Sequence, residues 1–473
     1  MSSFAAVDLG AASGRVAVGT LKGDAISYEV IHRFPNGSKE DAQGRFTWDW
    51  HEIINQVEIG LKAAAEKYAI TSVGVDTWAV DYVLLNEDNE IIAPTYSYRD
   101  QRTAGFMEIA VEDFGKEIFY EESGIQFQPF NTAYQLLAAR DAGELHGSVQ
   151  FLMLPDAINM KLTGTKSSET TNASTTQLLK ACTRAWNYQL IEKLGLPREI
   201  FPKLHESGHL LGRVNSIPEL RGTKVVAVGS HDTASAVAGA PIDQDSIYIS
   251  SGTWSLIGCE LREPITSSAA MDANLSNELG VEGTVRLLKN VSGMWIISEC
   301  LREWREAGES ISIQKLVELA KENSNDSRID PNDEIFLHPG KMVERIQYQC
   351  RINGYSEPLG KGEIAYCVYA SLSESYAKAI LEIEAVTGRE FKNIHVVGGG
   401  SVNDFLNQLT ADETGLEVIA GPAEATILGN VGVQAIAAGE ISSLKELRKI
   451  ISNSFELRVF QPSHDKSETR GRI

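Results

Sequence analysis

Short apolar runs separated by turn residues open the chain. Phe4 to Asp8, Val16 to Leu21 and Ile26 to His32 each read as a strand, and their tight connections predict three successive antiparallel strands. The period then changes. Over residues 50 to 67 the apolar positions Ile53, Ile54, Val57, Leu61 and Ala64 fall on one face of a helix. Ile70-Thr-Ser-Val-Gly-Val-Asp76 reads as a buried strand that ends in an acid, and Tyr82 to Leu85 as a strand closed by the turn Asn86-Glu-Asp-Asn89. Residues 101 to 163 carry few breakers and read as mostly helical.

The second half repeats this plan. Thr223 to Val228 predicts a strand that leads through Gly229-Ser-His-Asp-Thr-Ala-Ser into a helix. Ile247-Tyr-Ile-Ser-Ser-Gly-Thr-Trp-Ser-Leu-Ile is strand, small-residue turn and strand, echoing residues 5 to 18 in pattern more than in identity. Helices follow near 293 to 307 and 363 to 388, and Asn393-Ile-His-Val-Val-Gly-Gly-Gly-Ser-Val-Asn403 runs from a strand through a triple-glycine turn into a helix. Two look-alike α/β halves, each opened by a hairpin, point to a duplicated fold with a cleft between the halves. The boundary is expected between residues 235 and 245, giving domains over 1–240 and 241–460 and a polar tail over 461–473 that frays.

Composition narrows the class. A chain of 473 residues exceeds one core, consistent with two domains. Its net charge of −21, from 43 basic and 64 acidic residues, argues against a nucleic-acid surface, which needs a basic footprint. It does not argue against a nucleotide, whose phosphates can be held by backbone dipoles and a metal. No apolar run reaches the ~18 residues of a membrane span, and Met1-Ser-Ser-Phe enters a strand without a basic region or signal core, so a cytoplasmic protein is expected. The five cysteines are scattered and form no CxxC, which disfavours a metal site and makes free thiols the default; Cys350 and Cys367 are the one pair spaced for a local disulfide.

Candidate chemistry clusters at the strand ends. The turn Gly10-Ala-Ala-Ser-Gly14, followed by Arg15, has no bulk and lets backbone N–H groups approach an anion. Asp8 at its mouth can hold a hydrated divalent cation, a pairing that suits a nucleoside triphosphate with magnesium. Similar turns stand at 251–253 and 398–400. None carries the Gly-Lys-Ser/Thr of a P-loop or the GxGxxG of a dinucleotide fold. Asp8, Asp76, Asp81 and Asp232 all flank apolar runs, where a carboxylate is costly unless used or paired. For any one of them a helix cap or turn acceptor is the plain alternative. Asp232, at the start of a small-residue helix, is the candidate acceptor for the proton of an attacking hydroxyl. His231 reads as its structural or ligand-contacting neighbour. Trp78, Trp254 and Trp295 flank the same segments, where core packing is the ordinary role and Trp78 also offers a face to a sugar.

These segments resemble the FGGY carbohydrate kinases, within the group of ribonuclease H-like ATPases that includes actin, Hsp70 and hexokinase. The resemblance spans nearly the whole chain and rests on residues 7–15, Gly74-Val-Asp-Thr-Trp-Ala-Val-Asp81, 96–103, Gly124-Ile-Gln-Phe-Gln-Pro-Phe-Asn-Thr132, 229–236, 250–256, Lys289-Asn-Val-Ser-Gly-Met-Trp295 and 396–403. The phrases around 76, 124, 231 and 253 are most similar to the rhamnulokinase branch. The resemblance implies two actin-like domains and transfer of the γ-phosphoryl of ATP to the 1-hydroxyl of L-rhamnulose. It implies that Ala11, Ala12, Ser13, Gly14 and Arg15 face the phosphates, that Thr253, Ser298 and Gly399 meet the nucleotide, and that Asp8 orders Mg2+. On the sugar it places Ala79, His231, Thr233 and Asn290, with Asp232 as proton acceptor. Two positions depart from the family pattern: Ala79 stands where glycine is usual, and Ser298 where relatives can carry glutamine. A kinase of a related ketose such as L-fuculose or L-xylulose fits the same pattern. More remotely, so does an ATP-switch protein of the actin or Hsp70 type. The expected partners are a small sugar and ATP, with no nucleic acid and no membrane, in a monomer or homodimer.

Overall fold

The structure is a computed structural model that describes residues 2–463. The opening strands form as expected: β1 (Ser2–Leu9), β2 (Ser13–Lys22) and β3 (Ala25–Pro35) make an antiparallel meander. Helix α1 (Trp50–Lys67) starts at Asp49, whose side chain accepts the Glu52 N–H, and buries Ile53, Val57, Leu61 and Ala64. Strand β4 (Ile70–Thr77) then pairs parallel with β1. Residues 101–163 are helical over most of their length, with one exception. β6 (Gln150–Met153) pairs antiparallel with β5 (Tyr82–Leu85). Its run of only four residues, without alternation, hides a buried strand inside a helical stretch.

Backbone contacts divide the chain into two compact units. The first comprises Met1–Pro241, Glu260–Leu287 and Ala425–Phe455; the second comprises Ile242–Cys259, Leu288–Glu424 and Glu456–Ile473. A single cut at residue 240 describes only the first crossing between them. The tail expected over 461–473 lies outside the described residues from 464 onward.

The first unit is built on a sheet completed by β7 (Leu210–Arg213) and β8 (Lys224–Val226), in the order β7-β8-β4-β1-β2-β3. Phe4, Ala6 and Ala17 bury one face of it in a cluster with Ile427, Leu428 and Val431, residues of the helix Ala425–Ala437. The short helix α2 (Asp232–Ala238) packs on that same helix.

In the second unit the hairpin β9 (Ser246–Ser251) and β10 (Trp254–Leu261) leads the sheet. With β11 (Val285–Ser292), β12 (Asn393–Val397), β13 (Glu417–Ala420) and β14 (Arg458–Phe460), the strand order is β11-β10-β9-β12-β13-β14, and the strand Ser276–Leu279 adds a seventh, outside β11. β9 pairs parallel with β12 and β12 with β13, while β14 closes the edge antiparallel. Apart from the added strand Ser276–Leu279 the order is β3-β2-β1-β4-β8-β7 again, and from β10 to β14 neighbours run antiparallel, parallel, parallel and antiparallel just as they do from β2 to β7. The duplication suggested by two weakly similar hairpins is therefore present over six strands of each sheet.

Candidate active site

Three acids converge in the first unit because of sheet register. Asp8, next to last in β1, stands opposite Arg15 of β2 on one side and Asp76 of β4 on the other. The Arg15 guanidinium lies 2.8 Å from Asp8 Oδ2. β4 continues as a bridge between Thr77 and His231, with the Thr77 N–H donating to the Ser230 carbonyl at 2.9 Å. The segment that carries His231 and Asp232 is thereby held beside the ends of β1 and β4.

Asp76 is fully buried. One of its oxygens accepts from the Asn430 side chain at 2.6 Å, while Oδ1 has no partner among the described residues. Burial, and then the neighbouring Asp8 carboxylate, push its carboxyl well above the usual range; the Asn430 hydrogen bond opposes this and Asp232 adds to it. An orphaned carboxylate oxygen beside a second carboxylate is what a cation held mostly by water and phosphate would need, since magnesium usually takes one or two protein carboxylates. Among the described residues no cluster of three or more histidine, cysteine or acidic ligands forms a dedicated metal cage.

Asp232 is the first residue of α2, and its side chain retains 27% exposure. Its Oδ1 accepts from Thr233 Oγ1 at 3.2 Å and lies 3.5 Å from His231 Nε2. Burial raises its carboxyl above the ordinary range, against the pull of His231, Thr233 and Arg286. A raised carboxylate is the more effective proton acceptor near neutral pH. On the far side of the imidazole, His231 Nδ1 lies 3.1 Å from Glu278 Oε2, and Arg286 Nη2 lies 3.1 Å from the same oxygen.

Glu169 fixes the loop that presents these groups. Its Oε2 accepts from the Ser230 N–H at 3.1 Å, Ser230 Oγ at 2.7 Å, the Thr171 N–H at 2.9 Å and Thr171 Oγ1 at 2.5 Å. Thr171 Oγ1 in turn accepts the His231 N–H at 3.2 Å.

Asp81 is paired, not free for chemistry. It accepts from Trp48 Nε1 at 2.7 Å, Trp78 Nε1 at 2.9 Å, the Tyr98 N–H at 3.2 Å and Gln135 Nε2 at 3.1 Å. The Trp48 and Trp78 rings lie 4.2 Å apart, so Trp78 is a buried packing residue pinned by its indole N–H. Between them and Asp81, Ala79 is half-buried and Val80 adopts φ 66°, a left-handed value that costs a β-branched residue strain. Thr132 Oγ1 holds that peptide by donating to the Val80 carbonyl at 2.7 Å. Burial raises the Asp81 carboxyl to about 6, against its four donors. An unfolded aspartate releases its proton near pH ~4. The native form binds the proton more tightly, so this group's contribution to stability is complete below about pH 4 and declines as pH rises toward 6. Asp81→Asn should flatten that slope in thermal melts. It should also lower stability by about 2 kcal/mol at pH 7, because an amide offers one acceptor to four donors. Unchanged melting with an unchanged slope would contradict this.

In the turn between β1 and β2, Ala11 and Ser13 are half-buried and Ala12 is exposed; the Ala12 carbonyl accepts the Asn36 N–H at 3.2 Å. Gly14 is required for packing: a Cβ there would lie 2.3 Å from the Phe34 ring.

In the second unit Gly252 and Thr253 turn the β9–β10 hairpin. The Gly293 and Trp295 N–H groups both donate to the Thr253 carbonyl at 3.2 Å. Gly398 has φ 82°, and a Cβ on Gly400 would lie 1.9 Å from Ser251 Oγ, so the triple-glycine turn closes directly onto the end of β9. Gly399 is exposed, with open space where a Cβ would be. Ser298 is exposed on the helix Trp295–Glu306 and donates to the Met294 carbonyl at 2.9 Å. Asn290 is half-buried on β11. All five cysteines are free; Cys350 and Cys367 approach to 3.8 Å without a disulfide, in keeping with the default thiol state.

Sequence reasoning passed over Glu169, Glu278, Arg286 and Asn430. Arg286 carried a usable signal, being a charge inside the apolar run Val285-Arg-Leu-Leu288 and therefore costly unless paired, whereas Glu278 sits in the polar strand Ser276-Asn-Glu-Leu279 and carried none.

Comparison with known proteins fits this architecture. The family model for the FGGY family of carbohydrate kinases, N-terminal domain, matches residues 4–239, and that for the C-terminal domain matches residues 247–438. The chain belongs to the FGGY family of carbohydrate kinases. It is 43% identical to a rhamnulokinase of Halalkalibacterium halodurans over 97% of this chain and 99% of the relative. It is 42% identical to a rhamnulokinase of Bacillus subtilis over 97% of this chain and 95% of the relative. Among solved structures, a gluconate kinase from Lactobacillus acidophilus superposes with a TM-score of 0.79 at 16% identity, covering 100% of this chain and 96% of that one. A ligand-bound xylulose kinase from the same organism also gives a TM-score of 0.79, at 15% identity and with the same coverage. These structures share the fold. No described helix is long and apolar enough to cross a membrane.

Proposed function

We propose that this enzyme transfers the γ-phosphoryl group of ATP to the 1-hydroxyl of L-rhamnulose, giving L-rhamnulose 1-phosphate and ADP, in the cytoplasm where ATP is supplied. The observation that carries the choice of sugar is the end-to-end match to curated rhamnulokinases at about two-fifths identity. The half-open Asp232 at the start of α2 supports the chemistry.

Asp232 orients the attacking hydroxyl and takes its proton as the bond to phosphorus forms. His231, Thr233, Ala79 and Asn290 contact the sugar. Ala11 to Arg15 lie along the phosphates, where backbone N–H groups neutralise charge on the transferring group. Thr253, Gly399 and Ser298 meet the nucleotide; the exposed, unobstructed Gly399 suits close approach of a ligand. On this reading the sugar side expected of residues 1–240 belongs to the unit built on Met1–Pro241, and the nucleotide side expected of 241–460 to the unit built on Leu288–Glu424. Asp8, with Asp76 beside it, would hold Mg2+ through water, and the ion would supply positive charge to the β- and γ-oxygens.

A coupled ADP-release assay over a panel of ketoses tests the assignment. L-rhamnulose is expected to give the highest kcat/KM, ahead of L-fuculose and L-xylulose, with little ADP released in the absence of sugar. A higher kcat/KM for another ketose would overturn the choice of substrate, and sugar-independent turnover would overturn the kinase reading itself.

A further inference from the structure

The contacts behind His231 define a role that the phosphoryl-transfer chemistry does not itself require. The charged groups around its imidazole are Asp232 on its own segment, Glu278 on the strand Ser276–Leu279 and Arg286 on β11; Glu169 faces the adjacent Ser230. Glu278 and Arg286 are both buried, and Arg286 is completely so. Arg286 donates from Nη2 to Glu278 Oε2 at 3.1 Å and from Nε to the Leu279 carbonyl at 3.1 Å. Burial alone would raise the Glu278 carboxyl, but Arg286 and then His231 hold it below the usual range. It is therefore a committed anion and can only accept hydrogen bonds.

His231 Nδ1 lies within reach of both Glu278 Oε2, at 3.1 Å, and Arg286 Nη2, at 3.2 Å. Only the first contact is a favourable partner for a protonated Nδ1, and a hydrogen bond to a carboxylate outweighs one from a guanidinium to a neutral ring nitrogen that the same carboxylate competes for. The proton therefore sits on Nδ1. The guanidinium next to it offsets the Glu278 charge, so the pair orients the Nδ1 proton without placing a net charge behind the ring. Nε2 is then left as a bare acceptor, 3.5 Å from Asp232 Oδ1 and too far to bond it. Two acceptors side by side have no use for each other; both are satisfied by the hydroxyls of a polyol.

We propose that Glu278 and Arg286 are positioning residues that hold His231 as the neutral Nδ1–H tautomer, so that Nε2 accepts a hydrogen bond from the sugar hydroxyl adjacent to the one whose proton Asp232 takes. The proposal rests on the sugar-kinase reading above. It assigns the Glu278–Arg286 pair to sugar recognition rather than to proton transfer.

The test has a spectroscopic arm and a kinetic arm, both on the full chain. In protein carrying 15N-labelled histidine, with His231 assigned by its loss in His231→Asn, the expected result at pH 7.5 is a protonated Nδ1 and an unprotonated Nε2. Glu278→Gln is expected to raise KM for the ketose at least tenfold, with a smaller change in kcat and an unchanged KM for ATP. Because Glu278→Gln leaves a buried guanidinium without its anion and can fail to fold, Glu278→Gln combined with Arg286→Met serves as the second variant. It removes both charges and keeps an amide oxygen to accept the Nδ1 proton, so it should recover part of the lost ketose affinity. A proton on Nε2 in the native protein would overturn the proposal. So would a folded Glu278→Gln protein with native ketose KM and a native His231 spectrum, or a folded double variant in which His231 keeps its Nδ1 proton while ketose KM rises as far as in His231→Asn. The spectrum is read without turnover, so it decides the tautomer even if Asp232 or the choice of sugar proves wrong.

Discussion

Asp232→Asn is expected to reduce kcat by at least ~100-fold, the scale lost with a general base, while KM for ketose and ATP stays within a few-fold of native. The amide keeps the size of the carboxyl and an oxygen for Thr233 Oγ1, which now lies at 3.2 Å from Oδ1. What it loses is the capacity to accept a proton. Because burial makes the ionised form of Asp232 costly, neutralising it should leave the melting temperature unchanged or slightly higher. This combination separates a catalytic role from a structural one. Steady-state kinetics together with a thermal melt check it, and near-native turnover in a folded variant would remove Asp232 from the chemistry.

The second large effect concerns backbone packing. Gly429 on the helix Ala425–Ala437 faces α2 so closely that a Cβ would lie 1.8 Å from the Ser235 carbonyl oxygen and 2.9 Å from the Gly239 nitrogen. The approach is mutual: a Cβ on Gly239 would lie 2.1 Å from the Ala425 oxygen. These neighbours are backbone atoms and cannot swing aside, so Gly429→Ala must push the helices apart. Overpacking costs about 1–3 kcal/mol in side-chain cores, and backbone on both sides puts this case at the upper end. The same displacement moves the helix that begins with Asp232, and a shift of ~1 Å in a reacting group can cost ~100-fold in rate. Gly429→Ala is therefore expected to lower both the melting temperature and kcat. Native values of both would show that the close approach does not position the catalytic helix.

How much of this was visible in the sequence follows from which interactions are local. The hairpins, α1 and the strand ending at Asp76 were legible because their apolar spacing matches the burial that the sheet and helix impose. Asp8, Asp76 and Asp232 stood out because each flanks an apolar run, and register does bring the first two side by side. Asp81 was flagged by the same rule and proves to be paired by two indoles and an amide, a distinction that only the positions of Trp48 and Gln135 could supply. The partner of Asp76 is Asn430, 354 residues away, and no local pattern points from one to the other. Glu169 was hidden for a similar reason. It lies 61 residues before the Ser230 it fixes, in a polar stretch without helical or strand period. The strand Gln150–Met153 was lost within a helical stretch because its three consecutive buried residues, Phe151 to Met153, have no periodicity to read.

The most direct measurement is a crystal structure of the full chain with L-rhamnulose and ADP. The expected result is the sugar's 1-hydroxyl within ~3 Å of an Asp232 carboxylate oxygen, the reach a proton acceptor needs. A sugar bound with that hydroxyl against another acid, and Asp232 turned into the protein, would contradict it.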